Sequence, residues 1–109
     1  MSEYFKEYPL KNGTLLLSVC GYMGEEDFYA MYDIIGRVLK PENARYGVDS
    51  MCVDGSFTKD GILVRMCSES AYDECCFVIE PAKYSKEEEA KVFGWLDKVA
   101  EELHKQLPR

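Results

Sequence analysis

Two adjacent cysteines, Cys75 and Cys76, sit inside the apolar run DECCFVIE, and three more thiols, Cys20, Cys52 and Cys67, are spread along the chain. Thiolates bind soft metals, exchange disulfides and act as nucleophiles, so these residues have the most chemistry to offer. On a strand, neighbouring side chains project to opposite faces. Cys75 and Cys76 therefore point apart, and as a pair they neither chelate one ion nor close an easy disulfide. No CxxC or HxxxH spacing of a zinc site occurs either.

Register counting gives a different grouping. A two-residue turn at Ala71 and Tyr72 sets Cys67 opposite Cys76, and a turn at Asp60-Gly61 sets Cys67 against Asp54 with Cys52 on the diagonal. Cys52, Cys67 and Cys76 then share one sheet face, with facing Cβ atoms about 5 Å apart. That spacing suits a cross-strand disulfide or a soft metal. Two arguments oppose a site. The same register places Glu69 against Glu74, a like-charge pair, and parallel strand side chains seldom converge tetrahedrally. The expectation is five reduced thiols used as small apolar residues, with no metal and no cofactor.

The remaining motifs carry less. Gly21 and Gly24 in VCGYMGEED precede a helix, but the GxxxxGK[ST] pattern is absent and three carboxylates at the helix start repel phosphate. His104, the only histidine, falls on a helix flank near a C-terminus, where the dipole favours a solvent-edge imidazole. No GxSxG, HExxH or EF-hand pattern occurs. No catalytic residue is assigned.

The elements that would position these residues follow from periodicity. Asn12-Gly13 suits a two-residue hairpin turn, pairing Leu10 with Leu15 and Tyr8 with Leu17, and Pro9 makes the first strand an edge. Phe28, Met31, Ile34, Ile35, Val38 and Leu39 form a helical stripe that follows Glu25, Glu26 and Asp27 and stops at Pro41. Gly36 interrupts that helix without a packing reason. From Tyr46 the period becomes two. Asp60-Gly61 makes a second hairpin that pairs Phe57 with Val64 and Gly55 with Met66, and a third strand runs over residues 74–80. Ser85 and Glu88 form a capping box that opens a last helix, with Val92, Phe93, Leu96, Val99, Ala100, Leu103 and Leu107 on one face.

The order is ββαβββα: an α+β domain over residues 1–109, with a mostly antiparallel sheet of about five strands and two helices. The element order resembles profilin-like and longin- or roadblock-type folds. It resembles secretion-chaperone-like α+β dimers more loosely, since their N-terminal helix is missing.

Charge narrows the function. The chain carries 20 acidic against 13 basic side chains, a net −7, which repels nucleic-acid backbones. No apolar run approaches the roughly 20 residues of a membrane span. A soluble, cytoplasmic, non-enzymatic protein is expected: an acidic adaptor, chaperone or inhibitor with a basic protein partner or a second copy of itself. The alternative is a ligand-binding or enzymatic domain with a pocket between helices and sheet. Three aromatics are the candidate interaction surface. Tyr29 projects about 160° from the apolar stripe of the first helix, and Tyr32 lies at its border. Trp95 borders the buried face of the last helix.

Overall fold

Asn12 and Gly13 do turn the chain, but within a loop one residue longer than expected. The Leu10 amide donates to the Thr14 carbonyl at 2.8 Å and the Gly13 amide to the Leu10 carbonyl at 3.1 Å. Gly13 takes a left-handed φ of +87°, and the Asn12 side chain accepts the Thr14 amide at 3.0 Å. A three-residue loop with glycine in that position is the next most common hairpin connection. It corrects the register by one residue: Tyr8 faces Leu16 and Pro9 faces Leu15.

The computed structural model describes residues 3–48, 52–69 and 74–109. The expected turn at Ala71 and Tyr72, and Met51, lie outside these residues. The strands are β1 (Phe5–Pro9), β2 (Leu15–Met23), β3 (Asn43–Val48), β4 (Cys52–Lys59), β5 (Ile62–Glu69) and β6 (Glu74–Ile79); the helices are α1 (Gly24–Ile34) and α2 (Lys86–Gln106). Among the described residues there are thus six strands, not five, in the order ββαββββα. The missed strand is β3. Its Ala44, Tyr46 and Val48 alternate correctly, but Gly47 and the polar residues flanking it weaken the pattern.

All strands pair antiparallel in one sheet of order β1-β2-β6-β5-β4-β3. From β2 the chain crosses by α1 to the far edge, then meanders back through β4 and β5 until β6 pairs with β2. The Asp60-Gly61 turn has the expected two residues. Asp60 at φ 51° and Gly61 at φ 77° both take left-handed conformations, as a type I′ turn requires. Glu42 clamps this turn to the start of β3 by accepting both its amides, at 3.1 and 3.2 Å.

Both helices lie on one face of the sheet. Leu17, Phe57, Val64, Met66, Phe77 and Ile79 from the strands interdigitate there with Phe28, Met31, Ile34, Ile35, Leu96 and Leu103, each 0–1% exposed. Helix α1 continues as a π-helical turn over Ile35–Leu39, and Lys40 at φ 50° ends it one residue before Pro41. That turn contains Gly36. A Cβ there would meet nothing within 4 Å, so packing does not demand the glycine. Helix α2 starts as expected: the Ser85 hydroxyl accepts the Glu88 amide at 3.1 Å and the Glu88 carboxylate accepts the Ser85 amide at 2.9 Å. No described helix is long and apolar enough to cross a membrane.

Candidate functional site

Tyr46 points from the edge strand β3 toward the helical layer and meets two rings from α1. Its centroid lies 5.3 Å from that of Tyr29 and 4.9 Å from that of Tyr32, the latter edge to face. Such tilted geometries suit the quadrupoles of aromatic rings. Tyr29 and Tyr32 are half-buried, yet Tyr46 stays 50% exposed and its neighbour Val48 55% exposed. The structure therefore joins two of the expected surface tyrosines around a third that periodicity alone missed.

Carboxylates rim this patch. The Tyr29 hydroxyl donates to Glu25 at 2.5 Å, and that bond is the main cause pushing the phenol up to about 12. Glu26 and Asp33 are exposed on the same helix, with Asp33 bound to Arg37 at 3.0 Å. Trp95 does not join the cluster. It packs at 6.5 Å on Phe57, with the Lys59 ammonium 5.9 Å from its ring.

The thiols sit where strand geometry predicts. Cys75 is fully buried beside Phe77 and Ile79, while Cys67 and Cys76 face each other on the sheet face that neither helix covers. Asp54 faces Cys67, and Cys52 lies further along the same side with its thiol 3.4 Å from the Asp54 carboxylate. Among the described residues no three His, Cys, Asp or Glu side chains are arranged to hold a metal ion. Two clefts open on this bare face. One of about 380 Å³ lies between Arg45, Ser56 and Arg65, and one of about 250 Å³ between Leu63, Glu80 and Tyr84.

His104 is not a solvent-edge residue. Its ring stacks on Tyr4 at 4.9 Å and packs edge-on against Tyr22 at 4.9 Å. Tyr22 is the reason. Nearly fully buried, its hydroxyl reaches His104 Nδ1 at 3.3 Å and the Leu103 carbonyl at 3.4 Å, and donates to the Leu107 carbonyl. Burial pushes this phenol up, an effect that Arg109 over its ring opposes. Arg109 in turn pairs with the buried Asp27. The Tyr22 contacts tie the end of α2 to the end of β2, and Arg109 beyond α2 reaches Asp27 in the first turn of α1, so this cluster reads as a structural latch.

No protein-family model matches the chain, and no curated protein or solved structure is significantly similar to it.

Proposed function

We propose that the protein is a non-enzymatic binding module that docks a basic protein partner on the Tyr29–Tyr32–Tyr46 patch. The observation that carries this reading is Tyr46 itself: a ring packed on two others yet left half in water, beside an exposed Val48. Tyrosine offers large, rigid contact area at low entropic cost and is enriched among residues that dominate interfaces. The carboxylates of Glu25, Glu26 and Asp33 and the net −7 favour a cationic partner, since opposed potentials speed encounter and suppress wrong partners. They disfavour a second copy, which would bring the same negative charge to the contact. An adaptor, chaperone or inhibitor working in the cytoplasm fits this surface.

A photo-crosslinking side chain placed at Tyr46, with expression in the native host, tests the reading. A discrete adduct with a basic protein is expected, weakened by salt and absent when the crosslinker sits at exposed Lys98 on α2. Equal labelling from both positions, or adducts only with the chain itself, overturns it.

A further inference from the structure

The two edges of the sheet are built differently. Strand β1 carries Lys6, Glu7 and Pro9 among its five residues, and charges and proline are what blunt an edge against further pairing. Strand β3 reads NARYGV over six residues, with Arg45 its one charge and no proline. Among the described residues nothing pairs with its free side. Alternate residues of such a strand direct N–H and C=O groups away from the sheet, and these form a template for one more strand.

We propose that β3 takes up an extended segment of the basic partner as a seventh strand. This rests on the docking reading above and specifies how the partner binds and what sequence it carries. A strand laid along β3 alternates its side chains between the two sheet faces. Those on the helical side cross Tyr46 and Val48 and reach Tyr29, Tyr32 and the Glu25 rim, a place for aromatic, aliphatic and cationic residues. Those on the other side pass Arg45, which makes no ion pair among the described residues. A carboxylate or hydroxyl fits there. The recognised segment is therefore about six residues long, with Lys, Arg, Tyr or Val at one parity and small polar or acidic residues at the other. The −7 charge again selects a foreign segment over a second β3, since a self-paired edge would bring two acidic rims together.

The probe is a synthetic eight-residue peptide with Lys, Tyr and Val at alternate positions, separated by Thr and one Glu. Three measurements decide the matter. Backbone N-methylation at one parity should abolish binding and at the other leave it intact, because alternate amides of an added strand face the sheet. Amide exchange read by NMR should show alternate β3 amides slowing on binding. Replacing the Lys residues by Glu should weaken binding about tenfold or more. Binding that tolerates N-methylation at both parities, or leaves β3 amides unprotected, overturns strand addition while Tyr46 crosslinking keeps the docking patch. Crosslinking that fails at Tyr46 removes both. Dimerisation through β3 at micromolar concentration replaces the foreign segment with a second copy and overturns the proposal.

Discussion

Arg109 grips Asp27 with both terminal guanidinium nitrogens, Nη2 lying 2.9 Å from Oδ1, while Asp27 also accepts the Met23 amide at 2.9 Å. The carboxylate is 7% exposed and the guanidinium 44%, so the pair closes the end of the chain over the N-terminus of α1. Losing Asp27 orphans the Met23 amide. Asp27→Ala is expected to cost about 1–2 kcal/mol, seen as a lower urea midpoint at unchanged slope. Arg109→Ala also destabilises, because it leaves a buried anion without its cation. Combining it with Asp27→Asn should recover part of the loss. Strict additivity in that double-mutant cycle would show that the two groups do not couple.

This latch shows where sequence reading stops. Local signals were legible: the Ser85–Glu88 capping box, the Asp60-Gly61 turn and the opposite facing of Cys75 and Cys76 all follow from spacing and chirality. The Cys67–Cys76 pairing expected from register counting is also observed, while the turn on which that count relied lies outside the described residues. Arg109 meeting Asp27 depends on how two helices cross, which neither periodicity reports. Tyr46 was hidden for a related reason. A short edge strand buries little, so its apolar alternation is weak, and its importance lies in Tyr29 and Tyr32 approaching it from a helix.

Tyr29 gives the tyrosine cluster a titration signature. Its hydroxyl donates to Glu25, which holds the phenol at about 12 against an ordinary 10.0. The folded chain therefore keeps a proton that the unfolded chain sheds first. The contribution to stability is complete below pH 10 and is lost as the pH rises from 10 to about 12; the sign follows from linkage. Phenolate absorbance at 295 nm should show late-titrating tyrosines, Tyr22 and Tyr84 among them, and the Tyr29 component should be lost in Tyr29→Phe and shift down in Glu25→Gln. An unchanged titration in Glu25→Gln would mean the hydrogen bond contributes nothing.

Gly55 sets how closely α1 sits over β3 and β4. It faces Tyr46 across the β3–β4 pair, and a Cβ there would lie 3.0 Å from the Arg45 carbonyl and 3.1 Å from both Met66 Cε and Phe28 Cζ. Gly55→Ala must push β3 or α1 outward, at about 1–3 kcal/mol, and should raise amide exchange in β3. At Gly47 the same addition meets nothing within 4 Å. Gly47→Ala is therefore expected to be neutral, or to stabilise by about 0.4–1 kcal/mol through the unfolded state. A Gly55 variant as stable as the Gly47 variant would contradict the close packing.

The thiols separate by face in a way oxidation can read. Facing residues of an antiparallel ladder have Cα atoms about 4.5–5.5 Å apart, inside the roughly 4.4–6.8 Å that a disulfide spans. Cys67 is half-exposed and Cys76 8% exposed on the bare face, whereas Cys75 is 0% exposed on the core side. The Cys67 thiolate should therefore attack oxidised glutathione first, forming a mixed disulfide with release of one reduced glutathione. Cys76 then displaces the second, leaving a Cys67–Cys76 bond. Peptide mapping is expected to find that linkage in the native protein, and Cys67→Ser to abolish it. Cys75 should alkylate only after denaturation. A Cys75–Cys76 bond, or native alkylation of Cys75, would mean that this strand does not hold the two neighbours on opposite faces.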